Sequence, residues 1–149
     1  MAQVSFYQLT KVGNYIDTAS TTERTTLLAG GWTETCSPTC GIFENAADYT
    51  GLTALYRLKK VSNSARFYTT DSTTKTNMIN SGAWSDEGTA GYVLPASASQ
   101  PAGWGALHEA YNASTSFYIF TASTTQWNGL VSPWNKSATV FAWVPSPHS

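Results

Sequence analysis

A chain of 149 residues that is 42% hydrophobic, 13% aromatic and only 11% charged has enough apolar side chains for one packed core, and too few charges for disorder or for long solvated helices. Its net charge is −1, and its densest basic cluster, Arg57, Lys59, Lys60 and Arg66, is confined to one hairpin, which argues against nucleic acid as the main partner. No apolar run approaches the roughly 18 residues that a membrane span needs, so no membrane insertion is expected.

In chain order, Phe6-Tyr7-Gln8-Leu9 and Tyr15-Ile16-Asp17-Thr18 read as two β-prone segments of a hairpin. Ser20-Thr21-Thr22-Glu23 follows with the spacing of a capping box, in which the serine hydroxyl accepts from a backbone N–H and the glutamate reaches back. A short helix carrying Leu27 and Leu28 then stops at Gly30-Gly31, before Trp32 and an apolar closing stretch, Gly41-Ile42-Phe43. An insertion ahead of that stretch holds both cysteines, Cys36 and Cys40, close enough for a bridge. A zinc site would need two further ligands, and His108 and His148 are remote in sequence.

The same order recurs. Leu55-Tyr56-Arg57-Leu58, Arg66-Phe67-Tyr68-Thr69-Thr70, Ser72-Thr73-Thr74-Lys75, a helix with Met78-Ile79, Gly82, Trp84 and Gly91-Tyr92-Val93-Leu94-Pro95 make a second unit. Leu107-His108-Glu109-Ala110, Phe117-Tyr118-Ile119-Phe120, Ser123-Thr124-Thr125-Gln126, a helix with Trp127 and Leu130, Trp134 and Phe141-Ala142-Trp143-Val144-Pro145 make a third. The spacing equates Tyr15, Tyr68 and Tyr118, then Ser20, Ser72 and Ser123, then Trp32, Trp84 and Trp134. A single domain over 1–149 is expected, with repeats at about 5–50, 51–97 and 104–146, and 96–105 as an uncharged linker.

The expected fold class is therefore β-rich α+β: three pseudo-threefold repeats of strand, strand, short helix and strand, closed around an axis. Threonine is a poor helix former, so the alternative makes the Ser-Thr-Thr segments turns and the domain an all-β β-trefoil.

The second unit resembles a widespread bacterial and fungal repeat family of unknown function. Its units run approximately Leu-Tyr-Arg-Leu, His-Phe-Tyr-Thr-Thr, a short helix, then Glu-Gly-x-Ala-Gly-Tyr-Val. The matching residues are Leu55 to Leu58, Arg66 to Thr70 and Glu87-Gly88-Thr89-Ala90-Gly91-Tyr92-Val93, with Arg66 where the family has histidine. The resemblance implies repeat architecture and no particular chemistry. In style the chain also resembles small fungal pseudo-threefold lectins, which are short, neutral, aromatic-rich and made without a signal peptide. Met1 to Ser5 likewise show no charged or apolar leader, which predicts a protein that is cytoplasmic or released without one.

The chain offers little for catalysis. His108 stands at the Tyr7/Tyr56 position and reads as a ring replacing tyrosine, and no metal or phosphate motif occurs, so no cofactor is expected. Asp86 and Glu87 are the best acids for a weak hydrolase, but a threefold arrangement would keep matched acids apart, whereas glycoside hydrolysis wants a pair. The expectation is no enzyme.

A neutral sugar site needs an aromatic platform and planar hydrogen-bonding groups. The candidates are Trp32 and Glu34; Trp84, Asp86 and Glu87; Trp134 and Asn135; Arg57 and Arg66 with Glu109 at the Arg57 position; and Trp127, which falls outside the threefold set. A repeated tryptophan is also what packing between units would use. The aromatic-rich third unit implies either a second subunit, giving a homodimer, or a ligand site. The leading expectation is a non-catalytic, multivalent carbohydrate-binding lectin with up to three related sites, its partners glycans or glycoproteins. The alternative is a protein-binding module such as a protease inhibitor acting through an inter-repeat loop.

Overall fold

The computed structural model describes residues 3–35 and 40–145. Cys36 and His148 lie outside the described residues, and Cys40 is buried. Each unit opens with a hairpin: β1 (Gln3–Lys11) with β2 (Asn14–Thr18), β5 (Thr53–Lys60) with β6 (Arg66–Thr69), and β8 (Gly105–Asn112) with β9 (Tyr118–Thr121). The first is closed by Val12-Gly13, both at positive φ (50° and 80°), the two-residue turn whose twist matches paired strands.

Helices follow in all three units: α1 (Thr21–Ala29), α2 (Ser72–Asn80) and α3 (Thr124–Gly129). None buries a residue, so they are held by their ends and not by an apolar face. The last strand of each hairpin ends in a threonine, Thr18, Thr69 or Thr121. Its hydroxyl accepts from the N–H of the residue capping the helix, Ser20, Asp71 or Ser123, at 3.0, 3.1 and 3.0 Å. The caps in turn accept from Glu23, Thr73 and Gln126 backbone N–H groups.

This fixes the register between units and corrects the second unit, by one residue at the helix cap and by two at the tyrosine position. Asp71, not Ser72, is its cap. Asp17, Tyr68 and Phe120 are then equivalent, as are Tyr15, Arg66 and Tyr118. The hairpins agree, because Gln8, Arg57 and Glu109 face Asp17, Tyr68 and Phe120 across their ladders.

After the helices come β3 (Thr33–Glu34) and β4 (Cys40–Phe43), a 3-10 helix over Ala46–Asp48, β7 (Trp84–Pro95), and β10 (Trp134–Lys136) with β11 (Ala142–Val144). Among the described residues the strands pair antiparallel, along the path β10-β8-β11-β7-β4-β1-β2, with β3 on β1, β5 on β7, β6 on β5 and β9 on β8. The sheet is open. The expected closure of three repeats around an axis is not formed, and the helices overturn the all-β β-trefoil alternative. The local reason lies in the short closing strands. β11 has three residues and is followed by Pro145, which has no N–H to continue a ladder. Among the described residues, the third unit meets the β4 backbone where the Gly41 N–H donates to Pro145 C=O at 2.8 Å. Gly41 is confined there: a Cβ would lie 3.1 Å from the Gln3 side-chain oxygen and 3.3 Å from the Pro145 ring.

The core draws on every unit. Phe6, Ile42, Leu55, Tyr68, Val93, Leu107, Phe120, Ala142 and Val144 form one buried cluster. Phe6, Tyr68 and Phe120 meet edge to face, Tyr68 at 6.4 Å from Phe6 and 4.9 Å from Phe120.

Candidate functional site

With the register settled, most sequence-predicted site residues fall into two repeated side-chain motifs. The first joins a helix residue, a strand aromatic ring and a residue of the strand after the helix. Arg24 lies 4.6 Å over the Tyr7 ring and pairs with Glu34. Lys75 lies 4.4 Å over the Tyr56 ring, 3.4 Å from Asp86. In the third unit the polarity is exchanged: Trp127 stacks on His108 at 4.5 Å and 13°, with the Lys136 ammonium 5.1 Å from its ring. Burial first, and Lys136 second, hold the His108 pKa below the usual histidine range. Glu34, Asp86 and Trp127 thus each serve the packing of their own unit.

The tryptophans at the repeated position are half-buried. Trp84 packs on Phe67 at 5.9 Å and on Tyr118 of the third unit at 6.4 Å, and Trp134 packs on Tyr15 of the first unit at 6.0 Å. Two of the three therefore brace one unit against another. Trp32 is half-buried after α1, its backbone N–H donating to Leu27.

The second motif surrounds Gln8, Arg57 and Glu109. The Arg57 guanidinium is forked on Glu23 of the first unit's helix, at 2.8 and 2.7 Å, and donates through Nε to Glu87 at 3.0 Å. Arg66 also grips Glu87, at 2.7 Å. Burial opposes charge on Glu23, but the Arg57 hydrogen bonds, with Thr18 and Arg66, outweigh it and hold its carboxyl below the usual range. At the equivalent place in the first unit, the Gln8 carbonyl accepts from Gln126 at 2.7 Å and from Thr35 at 2.5 Å, while its amide donates to Phe120 C=O. The glutamate and glutamine expected to complete capping boxes at Glu23 and Gln126 instead spend their side chains on contacts between units. Beneath this layer lies Asp17, whose burial raises its carboxyl well above the ordinary value against hydrogen bonding from Gln8 and the charge of Arg57.

At Glu109 the motif is empty. The helix residue equivalent to Glu23 and Gln126 is Thr74, too short to reach far, and its hydroxyl donates to Asp71. Ser137 stands where the other units have Thr35 and Glu87. The Glu109 side chain has no ion-pair or hydrogen-bond partner among the described residues, and burial alone raises its pKa. It opens on a cleft of about 250 Å³ lined also by Tyr111, Tyr118, Asn135, Lys136 and Ser137. The two tyrosine rings lie 4.8 Å apart at 47°.

The structure therefore gathers Glu109 and Asn135 at one open cleft and puts Arg57, Arg66 and Glu87 in a filled one. Sequence reasoning missed Tyr111, Tyr118 and Ser137 as lining. The signal that would have found the two tyrosines is the strand register, which sets Tyr111 opposite Tyr118 on β9 and Asn135 on β10. Another cleft of about 350 Å³ is lined by Ser20, Glu44 and residues 89–92. Among the described residues no group of three His, Cys, Asp or Glu side chains could hold a metal ion, and no helix is long and apolar enough to cross a membrane.

Fold and seams define a protein of three ββα-based repeats tied by side chains from neighbouring units. Residues 3–94 and 54–146 each match the family described as Domain of unknown function (DUF5648), and the chain belongs to that family. Each match covers about two units, and both include the second. Neither a curated protein nor a solved structure matches the chain.

Proposed function

We propose that this protein is a non-catalytic carbohydrate-binding module whose principal site is the Glu109 cleft. The observation that carries the reading is that, of three equivalent polar positions, Glu109 alone has an unpartnered side chain and faces an open cleft. The lining suits a sugar. Tyr111 and Tyr118 offer rings for C–H faces, Asn135 can donate and accept, Ser137 adds a hydroxyl, and Glu109 accepts from hydroxyl groups. A volume near 250 Å³ fits one or two sugar rings and lies just below the usual small-ligand range. The lining holds a single carboxylate, whereas glycoside hydrolysis commonly uses two, which supports binding without turnover. The lectin-like style of the chain agrees with this reading.

A glycan array tests it, followed by titration calorimetry on the best ligand with the wild type and Asn135→Ala. Saturable binding that weakens at least tenfold in Asn135→Ala is expected. Folded protein that binds no glycan refutes the proposal.

A second reading, a protein-binding loop, draws on residues 96–103. That exposed segment is held at its base by Trp143 Nε1 donating to Ala98 C=O at 3.0 Å and Gln100 donating to Trp104 C=O at 2.7 Å, and Trp104 packs on Tyr49 at 4.9 Å. Such pre-ordering favours a loop that inserts into a partner. Inhibition of a protease panel that disappears on replacing 96–103 with Gly-Ser would support it over the sugar reading.

A further inference from the structure

The geometry points to a ligand that carries an ammonium group: the Glu109 cleft takes an amino sugar with a free amine in preference to its N-acetylated form. The inference rests on the carbohydrate reading and narrows it.

The argument begins with the two filled versions of the motif. In the second unit a charge is answered by charge, Arg57 by Glu23 and Glu87. In the first, a neutral amide is answered by neutral groups, Gln126 and Thr35. In the third, Glu109 brings a charge and the chain brings no cation to meet it. Thr74 is neutral and turned to Asp71. Lys75, next along that helix, is committed to Asp86 and Tyr56. Lys136 lines the cleft, but its ammonium rests over the Trp127 ring. Its charge lowers the His108 pKa, while burial raises that of Glu109.

A half-buried carboxylate without a counter-charge is costly to keep ionised, and a bound cation removes that cost. Tyr111 and Tyr118 flank the same space, and ring faces attract an ammonium most strongly where water is partly excluded. A free-amine sugar supplies the cation together with hydroxyls for Asn135 and Ser137. Acetylation removes the charge and leaves the hydroxyls.

The experiment is calorimetric titration of the full chain with a β-1,4-linked glucosamine tetramer and, separately, its fully N-acetylated counterpart, at pH 7 and about 150 mM salt. Wild type is expected to bind the free-amine tetramer at least tenfold more tightly. In Glu109→Gln, which installs the amide the first unit uses at this position, the preference falls below twofold. Glu44→Gln, an exposed acid outside the cleft, keeps it. Equal affinity for both tetramers refutes the amine preference and leaves the carbohydrate reading intact. Loss of preference in Glu44→Gln as well refutes the assignment to this cleft, because surface charge then accounts for it. If neither tetramer nor any arrayed glycan binds folded protein, both readings fall.

Discussion

Arg57→Met removes the cation at the seam between the first two units while keeping much of the side-chain volume. The Arg57 side chain is 11% exposed and holds Glu23 in a forked pair, Glu87 through Nε, and Asp17 C=O at 3.3 Å. Breaking a buried pair by removing one partner costs about 3–5 kcal/mol. Glu23 and Glu87 are 30% and 21% exposed, so water recovers part of their solvation, and Arg66 keeps its grip on Glu87. The lower end, about 3 kcal/mol, is the working figure. For a domain of this size that lowers Tm by about 6–12 °C. The loss depends on pH in a defined direction. The folded pKa of Glu23 lies below its ordinary value, so its contribution is present above the unfolded carboxylate range and is lost as pH falls through the folded pKa. Urea unfolding of wild type and Arg57→Met at pH 7 and again near pH 3 should give a large gap that narrows in acid. A gap under about 0.5 kcal/mol at pH 7, the size of a typical surface pair, would refute the idea that this seam is held by charge.

Three more outcomes follow from the geometry. Gly91→Ala places a Cβ 2.5 and 2.7 Å from Ile42 side-chain atoms and 3.1 Å from Phe43 C=O, so it should cost about 1–3 kcal/mol, with partial recovery in the Gly91→Ala/Ile42→Val double mutant by equilibrium unfolding. Ser123→Ala removes the cap of the six-residue α3 and should cost about 1 kcal/mol, with loss of amide-exchange protection at Gln126. Glu109→Gln should stabilise: burial raises the folded pKa of Glu109, so its favourable contribution exists at low pH and is lost as pH rises through that pKa. The variant should therefore exceed wild type in urea at pH 7.5 and match it near pH 4.

The element order was legible because it rests on local chemistry. Alternation marks the hairpins, and Ser20 and Ser123 followed by Glu23 and Gln126 mark helix starts despite all the threonine. The register of the second unit was not, because Asp71 and Ser72 are both good caps and Ser-Thr-Thr draws the eye to the wrong one. The tyrosine match slips by one residue more: it put Tyr68 beside Tyr15 and Tyr118, when in space it is a core ring equivalent to Asp17 and Phe120. Closure was misjudged for a different reason: three similar sequences suggest a ring, whereas ladder continuity depends on short end strands and on one proline. At the site, Glu109 and Asn135 were picked by residue type, yet Arg57 and Arg66 were picked by the same logic and prove to be consumed by Glu23 and Glu87. What separates the two cases is the partner: Glu23 comes from the first unit, 34 residues before Arg57, and Glu87 comes from the strand after the helix of the same unit, 21 residues beyond Arg66, and no local pattern records either.

The meeting at Gly41 has a consequence for how the chain could be rewired. Gln3 and Pro145 both press on this one glycine, so the two ends of the described backbone lie side by side across β4. A short linker joining them, with new termini opened in the exposed 96–103 segment, would yield a circular permutant that begins at β8 and ends at β7 without cutting any strand. If that permutant retains the Trp84–Tyr118 and Trp134–Tyr15 contacts, seen as unchanged near-ultraviolet circular dichroism, then the order in which the units are strung matters less than the seams at which they touch.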